Sequence, residues 1–156
     1  MVILDFFKNA LNLKNISRQG WIDKLSMEHP ESVADHSYSM AIMGMVISDL
    51  ENYDSEKMLK MILLHDLAES KIGDFTPDQI SKDNKEKIEN NAYDEIISTL
   101  PDTIKLQYGK IWEEYQKQES PESIIVHQID KLEMVLQAKM YQKGGAPTEA
   151  VESFFK

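Results

Sequence analysis

The 156-residue sequence predicts an all-α fold, a compact array of about six or seven helices in a single domain covering residues 1–156. Two observations support this prediction. Only six glycines and five prolines interrupt the chain, and between them the apolar residues recur at intervals of three and four, which is typical of one helix face. We also find no pair of segments with the alternating pattern that predicts β-strands.

The first predicted helix covers residues 3–13, and an irregular segment follows it. We expect one face of this helix to be buried, namely the face that carries Ile3, Phe6, Phe7, Ala10 and Leu11. Residues 14–30 contain Gly20 and Pro30 and have mixed polarity, which favours an irregular connection. A connection of this length indicates a function beyond joining two helices.

Two further helices are predicted in the middle of the chain. One covers residues 32–50. The next begins after an N-cap at Asp54 or Ser55, because short polar side chains there accept hydrogen bonds from the free backbone N–H groups of the first turn. Residues 58–67 then carry apolar side chains on nearly every side, which predicts a central, buried helix.

The second half of the chain contains three long predicted helices and a short one. The first covers residues 82–100, and its predicted inward residues are Ile88, Ala92, Ile96 and Ile97. The second covers residues 101–117. The third covers residues 121–142, with Pro121 in the first turn, where its missing N–H costs nothing. A short tail helix is expected after Pro147.

Composition and charge exclude several function classes. The chain has 17 basic and 27 acidic side chains and a formal charge of −10, whereas proteins that bind nucleic-acid polymers need a concentrated basic face. The N-terminal segment does not read as a signal peptide, and no run of about 18 apolar residues is present. We therefore expect a cytoplasmic protein with no nucleic-acid polymer as partner and no membrane span.

The chain contains no cysteine and only four histidines, so histidine and carboxylate side chains are the only candidate metal ligands. His65 and Asp66 interrupt the most apolar predicted helix. A buried imidazole beside a buried carboxylate costs several kcal/mol unless a partner compensates the pair. A metal ion would be such a partner. Alternatively, the two side chains satisfy neighbouring backbone groups or a lysine.

His36 and Asp130 also project from apolar helix faces. Met40 continues the face of His36, and Ile129 lies beside Asp130. With His65 and Asp66, they would bring two imidazoles and two carboxylates inward from three helices. Such a set suits manganese, iron, cobalt, nickel or zinc and leaves positions open for water and substrate.

Four segments resemble the signature blocks of a known family. In chain order they are ESVADHS at 31–37, LHDLAESKIGDFTP at 64–77, IWEEY at 111–115 and QIDKLEMVLQA at 128–138. They resemble the HD-domain superfamily of metal-dependent phosphohydrolases, and in particular its 5′-deoxynucleotidase branch. The resemblance covers roughly residues 15–141 and implies the compact helical array of an HD domain.

The resemblance implies a role for each polar residue of these blocks. The ligands of one divalent ion would be His36, His65, Asp66 and Asp130. Manganese or cobalt is favoured, and zinc, iron, nickel or magnesium are alternatives. The catalytic carboxylates would be Glu69 and Asp74, since Glu69 shares a helix face with its neighbours His65 and Asp66. Alternatively, Glu69 is a surface acid and Asp74 caps the turn that follows it.

Family members also place an arginine and a tryptophan ahead of the first block, and here these are Arg18 and Trp21. The resemblance implies that Arg18 binds phosphate and that Trp21 helps to exclude a 2′-hydroxyl from the sugar site. Alternatively, they are a surface arginine and a packing tryptophan. We also expect Glu133 to support the site or a dimer contact, and His127 to lie at the solvent edge.

The activity implied by the resemblance is hydrolysis of deoxyribonucleoside 5′-monophosphates to nucleoside and phosphate by a metal-activated water. A small nucleoside monophosphate would be the partner, and a homodimer the assembly. A second hypothesis is hydrolysis of another phosphorylated nucleotide, such as a triphosphate, a cyclic dinucleotide or guanosine tetraphosphate. A third is a non-catalytic, metal-stabilised nucleotide-binding module.

Overall fold

The computed structural model describes residues 2–155, and over this range the chain forms nine α-helices and two short 3-10 turns. The helices are α1 (Val2–Asn12), α2 (Gln19–Leu25), α3 (Val33–Glu51), α4 (Ser55–His65), α5 (Glu69–Ile72), α6 (Lys82–Ile97), α7 (Asp102–Lys117), α8 (Pro121–Lys143) and α9 (Thr148–Glu152). The 3-10 turns are Leu13–Asn15 and Ser153–Phe155. Across residues 2–155 there is no strand, only one isolated β-bridge between Ser17 and Ser32. The prediction of an all-α fold is confirmed.

Polar side chains fix the starts of the helices that carry the site. Ser32 and Asp35 form a capping box at α3, in which each side chain accepts a hydrogen bond from the backbone N–H of the other residue. Asp54 caps α4 by accepting from the N–H of Lys57. Of the two N-caps predicted for this helix, Asp54 is therefore the correct one.

The sequence predicts fewer helices than the structure contains, because α2 and α5 are too short for a visible apolar period. The segment 14–30 was expected to be irregular, yet it includes α2, whose seven residues enclose the buried Trp21. Four residues predicted to face inward are exposed instead, namely Phe7, Ala10, Leu11 and Ile88. The apolar residues of α1 and α6 thus cover a wider arc of each helix than the fold buries.

The main core lies around α4, which packs between α3, α7 and α8. Met58, Met61 and Ile62 of α4 are fully buried, so the prediction of a central helix is confirmed. Gly44 of α3 allows the two helices to approach closely, because a Cβ atom there would lie 2.3 Å from Cδ1 of Ile62. This close approach brings the first turns of α3 towards the C-terminal end of α4.

A second, smaller apolar cluster joins α2, α8 and α9 through Trp21, Ala138 and Val151, with Phe154 packed against it. The predicted tail helix is thus present, and it covers α2. Over the described part of the chain, none of the helices combines the length and the apolar character that a membrane crossing requires.

Candidate active site

Three helices bring the four predicted ligands together. His36 lies in the first turns of α3, His65 ends α4, Asp66 follows as its C-cap, and Asp130 lies in the middle of α8. Both histidine side chains are fully buried, and the side chain of Asp130 remains 31% exposed. The cluster therefore opens towards solvent on the side of Asp130.

The side-chain atoms of these residues lie within a few ångströms of one another. Nε2 of His65 is 2.9 Å from Oδ2 of Asp66, and Nε2 of His36 is 3.0 Å from Oδ1 of Asp130. Nε2 of His36 is 3.8 Å from Oδ2 of Asp66, and Nε2 of His65 is 4.0 Å from Oδ2 of Asp130. Both Nε2 atoms thus face both carboxylates.

Several of these atoms are buried without a hydrogen-bond partner, namely Nε2 of His36, Nε2 of His65 and Oδ2 of Asp66. One ligand atom each from the three residues lies within 4.8 Å of the others. Buried polar atoms without partners are costly, and two nitrogens beside carboxylate oxygens are ordinary donors for a divalent transition metal. The residues present therefore fit one divalent ion.

The second nitrogen of each imidazole is held by a hydrogen bond outside this cluster. Nδ1 of His36 lies 2.6 Å from Oε2 of Glu133, and Nδ1 of His65 lies 2.5 Å from the backbone carbonyl of Ile62. An Nδ1–H donated to these oxygens leaves the Nε2 lone pairs directed at the cluster, as a metal ligand requires. Glu133 itself is buried, and it thus supports the site from α8.

The electrostatics of the ion-free cluster follow from the same contacts. Burial alone would lower the pKa of His36, but the adjacent carboxylates of Asp130 and Glu133 raise that pKa to about 9. Burial would raise the pKa of Asp66, but the positive charge of the adjacent His65 imidazole holds it well below its ordinary value. Burial would also lower the pKa of His65, but the charges of Asp66 and Asp130 raise it, so both imidazoles are shifted towards their protonated form.

Glu69 begins α5 one turn after the ligand pair, and only 3% of its surface is exposed. Its Oε2 atom is buried without a hydrogen-bond partner. Burial and the charges of Asp66 and Asp74 raise the pKa of Glu69 well above its ordinary value. The alternative of a surface acid is thus wrong, and Glu69 is a buried carboxyl group beside the candidate metal ligands.

Asp74 follows Gly73, whose φ of +80° turns the chain after α5. Its Oδ2 accepts a hydrogen bond of 2.9 Å from the backbone N–H of Gln19, the first residue of α2. The N–H of Thr76 is instead bound by Oε1 of Gln79. Asp74 therefore caps α2, which lies in a distant segment. The alternative that Asp74 caps the turn at Thr76 and Pro77 is wrong.

Arg18 lies next to the ligand cluster. Its side chain is only 17% exposed, with NH1 3.8 Å from Oδ2 of Asp66 and Nε 3.9 Å from Oε1 of Glu31. Burial would lower the pKa of Arg18, but the charges of Asp66 and Asp74, with others nearby, raise it above its ordinary value. The alternative of a surface arginine is wrong, because the guanidinium lies between the acids of the site.

Trp21 has 2% of its surface exposed and donates a hydrogen bond of 3.0 Å from Nε1 to Oε1 of Glu31. Its ring packs against Tyr141 and Phe154. Trp21 therefore has the environment of a packing residue, as the alternative from the sequence predicts. The same ring also borders a cavity.

This cavity has a volume of about 720 Å³ and adjoins the ligand cluster through Arg18 and Asp74. It is lined by Arg18, Gly20, Trp21, Asp23, Lys24, Asp74, Phe75, Thr76, Pro77, Asp78, Met134 and Phe154. Its size is in the ordinary range for small-molecule sites.

Two residues near the cluster have no assigned role in the sequence analysis. Glu31 links Arg18 to Trp21, and Tyr115 packs edge-on against His65 with ring centroids 5.7 Å apart. Both lie in segments that resemble the family. That resemblance is the only feature of the sequence that could have pointed to them. The ring of His127 stacks on Tyr115 at 4.1 Å, and its Nε2 is 2.9 Å from the Tyr115 carbonyl, so His127 is tied to this aromatic pair.

The protein is an all-α domain with a candidate site for one divalent ion, formed by His and Asp side chains from three helices. Residues 10–156 match the family model described as HD domain. The chain therefore belongs to the HD-domain family.

Named relatives and solved structures are similar over most of the chain. The 5′-deoxynucleotidase HDDC2 of Dictyostelium discoideum is 41% identical over 97% of this chain and 85% of its own length. The protein of that name in Homo sapiens is 38% identical over 90% and 68%, respectively. A conserved hypothetical protein from Pyrococcus furiosus has a TM-score of 0.84 and 34% identity, with 97% of this chain and 85% of that chain covered.

Proposed function

We propose that the protein hydrolyses deoxyribonucleoside 5′-monophosphates to a deoxyribonucleoside and inorganic phosphate. One observation carries this proposal, namely that unpartnered buried atoms of His36, His65 and Asp66 converge beside a further buried acid, Glu69. A purely structural ion would have no use for that additional carboxyl group. The relatives named as 5′-deoxynucleotidases support the class of substrate.

His36, His65, Asp66 and Asp130 would hold the divalent ion in this proposal. When bound, such an ion neutralises phosphate oxygens and lowers the pKa of a water molecule. Manganese or cobalt is our preferred ion, since two imidazoles and two carboxylates form a donor set of intermediate softness. Zinc, iron, nickel and magnesium are the alternatives that a metal panel would test.

Arg18 binds the phosphate group in this proposal. Its planar guanidinium can donate two hydrogen bonds to two phosphate oxygens, as a lysine cannot. The acids around Arg18 keep it charged and fix its position next to Asp66. The arginine therefore places the phosphorus atom near the ligand cluster.

Glu69 and Asp74 move the protons of the reaction. The attacking water must lose a proton, and the 5′ oxygen of the sugar must gain one when its bond to phosphorus breaks. Glu69 is the better proton donor of the two, because burial and neighbouring acids favour its protonated form. Asp74 is fixed by the N–H of Gln19 through Oδ2, which leaves Oδ1 to orient the water.

Trp21 supplies the wall that excludes a 2′-hydroxyl group. The side chain cannot withdraw easily, because Glu31 holds its Nε1 and Tyr141 packs edge-on against its ring at 5.1 Å. A rigid apolar surface beside C2′ accepts deoxyribose and rejects ribose, since the additional hydroxyl would lose its hydration without gaining a hydrogen bond.

The test is phosphate release by chelated protein reloaded with manganese or cobalt. The substrates are the deoxyribonucleoside and ribonucleoside 5′-monophosphates, with a deoxynucleoside triphosphate, a cyclic dinucleotide and guanosine tetraphosphate in parallel. We expect release from the deoxynucleoside monophosphates alone. Failure with all of them would overturn the proposal. Equal turnover of the ribonucleotides would overturn only the sugar preference, and turnover of another nucleotide alone would establish the alternative activity.

We further propose that the protein is a homodimer that works in the cytoplasm. α3 and α8, which pack together, expose several large apolar side chains that an interface between two copies would bury: Val46 (48%), Leu50 (72%), Leu132 (45%), Leu136 (49%) and Met140 (66%). Light scattering should give twice the 18.0 kDa chain mass. Leu132→Glu should halve that mass, whereas Leu106→Glu, on the exposed face of α7, should not. Cell fractionation tests the location.

A further inference from the structure

The cavity beside the ligand cluster is lined by polar groups and by a set of apolar and aromatic side chains. Arg18 and Asp74 are among the polar groups, and NH1 of Arg18 is 3.8 Å from the candidate ligand atom Oδ2 of Asp66. Five of the other ten lining residues have apolar or aromatic side chains, namely Trp21, Phe75, Pro77, Met134 and Phe154. A molecule whose phosphate reaches Arg18 must therefore place its remaining part among these side chains.

Phe154 comes from the far end of the chain, in the 3-10 turn Ser153–Phe155 that follows α9. Its ring lies 4.5 Å from the ring of Trp21 at an angle of 42°. The turn also packs closely on α2, since a Cβ atom at Gly20 would lie 3.5 Å from Cε1 of Phe154. Nζ of Lys24 lies 4.5 Å from the Phe154 ring centroid. These contacts fix the ring in place as a wall of the cavity.

Four polar side chains also line this part of the cavity. Thr76 and Asp23 face each other at 3.5 Å, and the remaining polar side chains of this part, Lys24 and Asp78, lie with them around the apolar surface. A planar heteroaromatic ring gains most from such a surface, because aromatic contact needs no particular hydrogen-bonding edge.

We propose that the side chain of Phe154, held in place by the C-terminal turn, forms a wall of the nucleobase subsite of this protein, and that the subsite takes purine and pyrimidine bases by apolar contact. The inference rests on the proposed function, because it assigns a binding site to the base of the same deoxynucleotide substrate. Phe154 would then favour substrates that carry a base over sugar phosphates that lack one. It would contact the base and not the reacting phosphate. All four natural deoxynucleotides should depend on it to a similar degree.

The test compares two neighbouring phenylalanines with two substrates. Phe155 is 46% exposed and does not line the cavity, so Phe155→Ala is the matched control for Phe154→Ala. The substrates are a deoxynucleoside 5′-monophosphate and 2-deoxyribose 5-phosphate, which has the same phosphate ester and sugar without a base. We expect Phe154→Ala to lower kcat/KM for the nucleotide about tenfold, through KM. The same variant should leave 2-deoxyribose 5-phosphate unaffected, and Phe155→Ala should change neither value.

A direct binding measurement keeps the inference separate from the proposed activity. Calorimetric titration of a deoxynucleoside, which has no phosphate, should show weaker binding to Phe154→Ala than to wild type. Phe154→Leu keeps most of the packing volume and should fold even if the alanine variant does not, and it should show the same direction of change. If wild type hydrolyses deoxynucleotides and both Phe154 variants keep the wild-type preference for nucleotide over 2-deoxyribose 5-phosphate, the inference is wrong. If wild type hydrolyses none, the proposed function fails, and the titration alone decides the subsite.

Discussion

Each histidine of the candidate site uses its two nitrogens differently. Nδ1 of His36 is bound to Glu133, and Nδ1 of His65 to the Ile62 carbonyl, whereas both Nε2 atoms are free of hydrogen bonds. This division fixes the neutral tautomer that can bind a cation. Glu69 stands beside them as a buried acid with a raised pKa.

Replacing Glu69 by glutamine should remove proton transfer and keep the shape of the site. We expect the turnover number for a deoxynucleotide to fall by about two orders of magnitude or more, while manganese still binds. Stopped-time phosphate assays give the rate, and calorimetry gives the metal affinity. Glu95→Gln, at an exposed position of α6, is the control and should retain activity. Wild-type turnover by Glu69→Gln would remove Glu69 from the mechanism.

The ion-free protein should lose stability as the pH rises above neutrality. The pKa of His36 is raised to about 9 in the folded protein, against about 6.5 in an unfolded chain. Its stabilising contribution is therefore fully present below pH 6.5 and lost as the pH rises through 9. Urea unfolding of chelated protein should show a decrease of about 3 kcal/mol at most over this interval.

Variants of two histidines separate this effect from a general effect of pH. His36→Gln should reduce the decrease and leave the part that comes from His65, whose pKa is also raised, whereas the exposed His29→Gln should leave it unchanged. A wild-type stability that stays constant or increases between pH 6.5 and 9 would contradict the assignment of a bound proton to His36.

At the scale of elements, the site depends on how α3 begins. The capping box of Ser32 and Asp35 fixes the first turn of this helix, and Asp35 directly precedes His36. The capping oxygen of Ser32 satisfies an N–H group that would otherwise have no partner within the helix. A similar dependence links α2 to Asp74, whose Oδ2 binds the N–H of Gln19. The start of α3 thus positions His36, and the start of α2 is held by Asp74 of the candidate site.

Replacing Ser32 by alanine should lower the free energy of unfolding by about 1 kcal/mol, because an N-cap is lost. Ser39→Ala, within the same helix, is the matched control and should be neutral or slightly stabilising. Chemical denaturation of the ion-free proteins measures both. Ser32→Asp should restore most of the loss. Equal stability of Ser32→Ala and wild type would show that the cap contributes nothing.

In the molecule as a whole, the four candidate ligands connect the consecutive helices α3 and α4 with α8, which is distant from them in sequence and packed against both in the core. A cation held by all three would bind the folded state alone. Binding of that kind stabilises the fold by mass action. The net charge of −10 also favours a bound cation over a free phosphate dianion, so local positive charge must come from Arg18 and the ion.

Metal loading should therefore raise the melting temperature. At a manganese concentration about 100 times the Kd, we expect an increase of roughly 5–10 °C over chelated protein. Differential scanning calorimetry is the measurement. Asp130→Asn should reduce the increase strongly, and the exposed Asp5→Asn should not. An unchanged melting temperature in wild type would contradict a site that connects three helices.

Much of the fold follows from local signals in the sequence. The long helices begin and end within a few residues of the predicted positions, because the 3.6-residue period and the caps at Ser32 and Asp54 are local properties. The inward direction of His36 and His65 also follows from their apolar helix faces. By contrast, α2 has only seven residues, too few to be stable alone. It exists because Asp74 caps it and because the second apolar cluster buries Trp21.

An all-α chain with polar residues directed inward from three helices follows from local sequence patterns. Which of these residues meet, and what surrounds them, depends on how the helices pack. This packing places Glu133 on Nδ1 of His36, Arg18 beside Asp66, and Phe154 against Trp21. The physical reason is range: a helix period reports which face is buried, whereas contacts between residues up to 133 positions apart depend on how the helices pack.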